Sequence, residues 1–152
     1  MNKHIRVAVA TLTLSAAGYL CIQEDEGNTA VAVIPVVGDV YTVGPGLTKR
    51  PDGSPVQKGD TITPAEGRAR MVAHVQKDER GLKRCVTAPL TQTEYDIMVD
   101  FSYQYGVSTL CKSSMVREAN ALRYKESCAG YLKYKFVAGY DCSTPGNKDR
   151  KS

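Results

Sequence analysis

The chain has no tryptophan, two phenylalanines and two histidines among its 152 residues. With only His4 and His74, and no Cys-x-x-Cys pair, His and Cys give no metal-ligand spacing. No run of Lys or Arg exceeds two residues and no aromatics interleave with a basic stripe, so the net charge of +4 is no nucleic-acid signature. Internal repeats and low-complexity segments are missing too. Charge is absent from Val7 to Ile22, although Lys3 and Arg6 precede that stretch and Glu24, Asp25 and Glu26 follow it.

What remains is the length of one domain with an ordinary 42% hydrophobic content, enough for a core. The charge-free stretch is only weakly hydrophobic, since half of its sixteen residues are Ala, Gly, Ser or Thr. A stable transmembrane helix needs about 20 strongly apolar residues. Two export readings stay open. Residues 1–22 are a cleaved signal peptide, with small residues at Ser15-Ala16-Ala17 or Ala16-Ala17-Gly18. Alternatively they are an apolar helix that anchors through residues 7–22 and later leaves the bilayer. The flanking charges set the N-terminus on the inner side. Of five cysteines, Cys21 lies in this segment and Cys85, Cys111, Cys128 and Cys142 lie in the body. In an oxidising compartment the four can form two disulfides in three connectivities, leaving Cys21 free or exchanging with one of them. Each is otherwise a small buried hydrophobe.

Beyond the segment, Ala30–Val37 is rich in Val, Gly38-Asp39 reads as a turn and Val40–Val43 as a short strand. Lys49–Gly59, with Pro-Asp-Gly, reads as a surface loop, so 28–62 is expected to form a small β-hairpin lobe. Thr63-Pro64-Ala65-Glu66 starts a helix to about Arg84, with Ala65, Ala69, Val72, Val75 and Leu82 on its apolar face. Thr91-Gln92-Thr93-Glu94 opens a second, with Tyr95, Met98, Phe101 and Tyr105 on one face and Gly106 at its end. Ser113–Leu122 and Tyr124–Phe136 are further helical candidates, and Cys142–Ser152 reads as a frayed polar tail. This order predicts an α+β fold.

Glu26, Asp39 and Thr42 place two acids and a hydroxyl within seventeen residues. Hydrolysis of a glycosidic bond needs one protonated carboxyl for the leaving oxygen and one carboxylate for water or the sugar. Glu26 at a helix end can be the acid, Asp39 in a polar turn the carboxylate, and Thr42 the group that holds water. Equally, Asp39 is a plain turn residue, Glu26 a solvated charge, and Glu24 an alternative acid.

Glu26-Gly27, Gly38-Asp39, Thr42-Val43-Gly-x-Gly-x-Thr48 and Phe101-Ser102-Tyr103-Gln104-Tyr105-Gly106 resemble the phage lysozyme (muramidase) family, glycoside hydrolase family 24. Gly59–Pro64, Leu82–Cys85 and Gln92-x-Glu94-Tyr95-Asp96 are similar to it as well, and the resemblance covers about residues 22–145. It implies a lysozyme-like fold with a β-hairpin lobe over a helical lobe. It also implies inverting hydrolysis of the β-1,4 bond between N-acetylmuramic acid and N-acetylglucosamine, without a cofactor. Carried over, the catalytic residues are Glu26, Asp39 and Thr42, and Tyr103 and Gln104 line the saccharide cleft. Tyr103 is otherwise a core aromatic.

The N-terminal segment is similar to the signal-anchor-release form of these endolysins, which favours the releasable anchor over cleavage. The implied protein is an exported monomer, tethered to the inner membrane and then periplasmic, with peptidoglycan as its partner. In that form Cys21 exchanges with Cys85 or another body thiol after release, or is an incidental thiol of the anchor. The chain departs from the family pattern in places. Twelve residues separate Glu26 from Asp39 and two separate Asp39 from Thr42, a longer and a shorter gap than in much of the family. Val33 and Pro45 stand where aromatics are common, and Asn28 where a larger residue is. Residues 146–152 read as a shortened tail where the family adds another helix. A catalytically inactive peptidoglycan-binding protein or prophage remnant is the alternative, and a disulfide-bridged structural domain without glycan affinity a third reading.

Overall fold

The structure, a computed structural model, describes residues 5–26, 29–134, 136–137 and 140–141. The charge-free N-terminal stretch is built into the body. Val7 bridges Leu90, each backbone N–H donating to the other's carbonyl at 2.9 Å. A 3-10 turn follows over Val9–Thr11, and helix α1 spans Ala16–Glu26. The expected continuous helix over 7–22 is therefore replaced by extended and 3-10 backbone up to Ser15. Polar side chains of the body supply the reason. Lys83 donates to the Leu12 carbonyl and Gln92 to that of Thr13, while Glu79 accepts the Leu14 N–H at 2.7 Å. These groups satisfy backbone that a helix would have satisfied internally. Val9, Leu12 and Ile22 are buried in the main core. Among the described residues no helix is long and apolar enough to cross a membrane.

The β lobe pairs β1 (Thr29–Val33) antiparallel with β2 (Thr42–Gly44), Val33 opposite Thr42 and Thr29 opposite Gly44. Residues 60–62 add a third edge through the Val31–Thr61 bridge. The expected loop at 49–59 is a hairpin of its own, closed by the Lys49–Pro55 bridge and by Asp52, which accepts from the backbone and hydroxyl of Ser54. Ala32, Val43, Leu47, Val56 and Ile62 form the lobe's small core. Gly44 is buried at φ +61°, and a Cβ there would meet Ile62 at 3.2 Å, so the strand's exit needs glycine both for its backbone and for its space.

Helix α2 (Pro64–Cys85) carries the chain from the β lobe into the helical lobe. Its start is the expected capping box, with Thr63 and Glu66 each accepting the other's backbone N–H. Its buried face differs from the expected one. Gly67, Met71, Val75, Asp78, Glu79 and Leu82 point inward, whereas Ala65, Ala69 and Val72 are exposed. Two carboxylates on the inner face hid the true stripe. Glu79 is held there by the Leu14 N–H and by the Tyr95 hydroxyl at 2.8 Å, and burial together with Glu79 pushes the Tyr95 phenol well up.

Helix α3 (Gln92–Tyr105) has the second capping box, Thr91 with Glu94, and ends at Gly106. Tyr95, Met98 and Phe101 are buried as expected, and Tyr105 sits at the edge, ring against Phe101. Helices α4 (Val107–Cys111), α5 (Ser114–Asn120) and α6 (Tyr124–Gly130) are short, and a 3-10 turn follows over Tyr131–Tyr134. The expected helix to Phe136 thus stops early, and Phe136–Val137 (β3) pairs antiparallel with Tyr140–Asp141 (β4). The tail from Cys142 lies outside the described residues. The architecture is α+β, a small sheet lobe and a larger helical lobe joined by α2.

Candidate active site

Between the Gly-rich turn after β2 and the exposed side of α2 and α3 lies a cleft of about 740 Å³. One wall is formed by residues Gly46–Pro51. The other carries Arg70, Ala73, His74 and Lys77 from α2 and Tyr103 and Gln104 from α3. Tyr103 spans the cleft: its hydroxyl donates to the Pro45 carbonyl at 2.9 Å, and its ring lies 4.6 Å from that of His74. It is neither pure core nor free in the cleft. Gln104 is exposed and donates to Asp100 at 3.0 Å. The structure thus brings Tyr103 and Gln104 together with the turn that follows Thr42.

Thr42 opens β2, half-buried, and its hydroxyl donates a long bond of 3.4 Å to the Val33 carbonyl. A hydroxyl so engaged keeps its lone pairs for a water. Asp39 ends an exposed turn in which its N–H donates to the Val36 carbonyl, and its carboxylate accepts the Val40 N–H at 2.8 Å. Glu26 is the last residue of α1, so its backbone sits where that helix hands over to the β lobe. The side chain of Glu26, together with Gly27 and Asn28, lies outside the described residues. Glu24 stands half a turn earlier on the same helix.

Electrostatics on the far side of the turn are firm. The Arg50 guanidinium binds both Asp60 oxygens at 2.8 Å and holds that carboxyl down at about 2. This pair fixes the hairpin that forms the cleft's lower wall. His74 approaches the buried Asp78 at 3.3 Å, an ion-pair distance without hydrogen-bond geometry. Arg70, His74 and Lys77 were not singled out by the sequence reading. Their spacing of four and three residues along a capped helix was the available signal.

The cysteines divide. Cys85 and Cys111 are joined, with their Cα atoms 5.7 Å apart, tying the end of α2 to the end of α4. Cys21 and Cys128 are exposed thiols, and Cys142 lies outside the described residues. Among the described residues no three His, Cys, Asp or Glu side chains gather as a metal site. A second, mainly apolar cavity of about 540 Å³ lies between α3 and α6 beside Arg6, and Asp39 and Thr42 do not line it.

The chain is similar to known endolysins in sequence and in fold. The endolysin of Salmonella phage P22 is 28% identical over 130 residues, covering 86% of this chain and 88% of that protein. Among solved structures, the endolysin from Escherichia coli O157:H7 phage FAHEc1 superposes with a TM-score of 0.77 at 25% identity, over 97% of this chain and 91% of that one. A P22 lysozyme mutant superposes at 0.72 and 25% identity, over 93% and 97%. Residues 23–152 match the sequence profile of the phage lysozymes, and the chain belongs to that family.

Proposed function

We propose that this chain is an endolysin that hydrolyses peptidoglycan. Specifically, it cleaves the β-1,4 bond between N-acetylmuramic acid and N-acetylglucosamine as an inverting enzyme of glycoside hydrolase family 24, in the service of host lysis. The observation that carries the reading is the match of residues 23–152 to the phage lysozymes, in a chain whose cleft runs from the Thr42 turn to Tyr103 and Gln104. In this reading Glu26, at the end of α1, protonates the leaving oxygen. Asp39 supplies the ionised carboxylate and Thr42 holds the attacking water through a hydroxyl lone pair. Tyr103 and Gln104 contact the sugar, and the chemistry needs no cofactor.

The enzyme acts as a monomer, exported, tethered to the inner membrane through residues 7–22 and then released into the periplasm. What supports release over cleavage is the burial of Val9, Leu12 and Ile22 in the main core, since a folded body retains them. Cys21, an exposed thiol, is the candidate for exchange with the body's cysteines once the segment has docked. Asp39 favours a second reading at one point. Its bond to its own neighbour's N–H also suits a turn residue, as in a protein that binds peptidoglycan without cutting it.

The deciding experiment is release of reducing sugar from purified Gram-negative peptidoglycan by the full chain, wild type beside Glu26→Gln. Activity abolished by the substitution supports the muramidase with Glu26 as its acid. Binding to sacculi without product from folded wild-type protein favours the inactive binder. The anomer released first, read by proton NMR, decides inversion.

A further inference from the structure

Asp78 is a buried charge that the proposed chemistry does not use. It sits on the inner face of α2 at 5% exposure, and its Oδ2 has no hydrogen-bond partner among the described residues. No Lys or Arg pairs with it among them either. A carboxylate so placed is costly unless a donor or a group of opposite charge answers it. His74 answers it. The imidazole stands four residues earlier, one turn along the same helix, with its Nε2 3.3 Å from that oxygen.

His74 lies on the boundary between core and cleft. Its side chain is 44% exposed and lines the cleft wall. Its ring lies 4.6 Å from that of Tyr103 at an interplanar angle of 38°. An imidazole that exposed would otherwise exchange rotamers within nanoseconds. The fixed carboxylate favours one orientation, and in that orientation the ring meets Tyr103. Tyr103 reaches from α3 to the β lobe, where its hydroxyl donates to the Pro45 carbonyl at 2.9 Å. It is thus held at its tip by the Gly-rich turn and along its ring by His74.

We propose that His74 is the positioning residue for Tyr103, and that Asp78, which does not line the cleft, acts through His74 to set how tightly the cleft holds a glycan. The proposal rests on the peptidoglycan reading given above, in which Tyr103 meets the sugar, and adds the groups behind that contact. The physical content is preorganisation: a ring already in place binds without the ordering that a mobile ring requires.

The test compares KM and kcat on purified peptidoglycan for the full chain and its variants. Asp78→Ala and His74→Ala should each raise KM by about two- to tenfold, the worth of one aromatic pair, with kcat moving less. His74→Phe keeps a ring against Tyr103 without needing the carboxylate, and should recover most of what His74→Ala loses. In the His74→Phe background Asp78→Ala should cost nothing further, and that double variant carries no unpaired buried charge to unfold it. A KM that Asp78→Ala or His74→Ala leaves unmoved overturns the proposal while the glycosidase reading stands. So does an equal rise from Asp78→Ala in the His74→Phe background. A readout apart from cleavage is the nuclear Overhauser contact between the Tyr103 ring and Pro45 in the free protein. Wild type should show it, His74→Ala and Asp78→Ala should weaken it, and His74→Phe should restore it. A contact of equal strength in wild type and His74→Ala overturns the positioning role, even in a chain that releases no sugar. Sugar release by wild type tests the muramidase reading alone.

Discussion

Asp96 on α3 holds Ser15 at two points, one oxygen accepting the Ser15 backbone N–H at 3.0 Å and the other the Ser15 hydroxyl at 2.5 Å. The hydroxyl in turn accepts the Gly18 N–H at 3.0 Å, so Ser15 caps α1 and Asp96 holds the cap. Gly18 lets the two helices close: a Cβ there would sit 2.6 Å from Leu14 and 2.9 Å from Asp96. Asp96→Ala removes three accepted hydrogen bonds, counting that from Gln92, and is expected to cost about 2–3 kcal/mol. Gly18→Ala should also destabilise, by about 1–3 kcal/mol, despite alanine's higher helix propensity. Urea melts check both, as a lower midpoint at unchanged m value; a loss under about 0.5 kcal/mol in Asp96→Ala contradicts the cap.

Removal of residues 1–22 is expected to abolish cooperative folding. The truncation strips Val9, Leu12 and Ile22 from the core, at 4%, 2% and 0% exposure. At about 1.5–3 kcal/mol for each fully buried aliphatic side chain, the loss is roughly 5–9 kcal/mol, comparable to the whole stability of an ordinary domain. It also leaves Glu79 and Asp96 without the backbone they bind. Circular dichroism of residues 23–152 on heating should show no sharp transition, and a native-like melt would remove the argument that the segment is structural.

That dependence explains why the N-terminal stretch was the least legible part of the sequence. A run without charge reads as one apolar helix because hydropathy reports burial and says nothing of the side chains that bond its backbone. The partners that recognise it, Lys83, Gln92 and Asp96, lie some seventy to eighty residues away. The two capping boxes, by contrast, are complete within four residues each, and both helices start where Thr63 and Thr91 place them. The inner face of α2 misled for a related reason: Asp78 and Glu79 break the apolar stripe, and Glu79 finds its partners, the Leu14 N–H and the Tyr95 hydroxyl, far along the chain. At the site, Tyr103 and Gln104 were legible from the motif around them. Arg70, His74 and Lys77 on the same wall were not singled out, because charged residues on a helix are ordinarily a solvated face.

The Arg50–Asp60 pair predicts an acid-sensitive β lobe. Hydrogen bonds from Arg50 and from the Gln57 N–H lower the folded-state pKa of Asp60 to about 2, below its value in the unfolded chain. A carboxyl lowered in this way contributes stability fully present above the ordinary aspartate range and lost as pH falls toward 2. Glu66, at the cap of α2, shifts in the same direction through its bonds to Thr63. Asp60→Asn should therefore melt below wild type near neutrality, and the two curves should converge as the pH approaches about 2. Melting temperatures across that range check it, and a gap that stays constant with pH contradicts the pairing.

The Cys85–Cys111 disulfide closes a loop with a sequence separation of 26 residues that contains the whole of α3. Constraint of the unfolded chain by a loop of that length is worth about 3–4 kcal/mol on the chain-entropy account. Reduction, or the Cys85→Ser/Cys111→Ser double substitution, should lower stability by that order. Both cysteines lie at helix ends, so the packing of Leu82, Val86 and Leu110 in the main core is expected to persist on reduction. The expected result is therefore a folded protein with a lower melting temperature, not an unfolded one. Melting with and without a thiol reductant checks it, with thiol counting by mass spectrometry to show that the bond was formed at the start. An oxidised protein whose melting temperature does not move on reduction would mean that α3 is closed against α2 as tightly in the unfolded chain without the bond as with it.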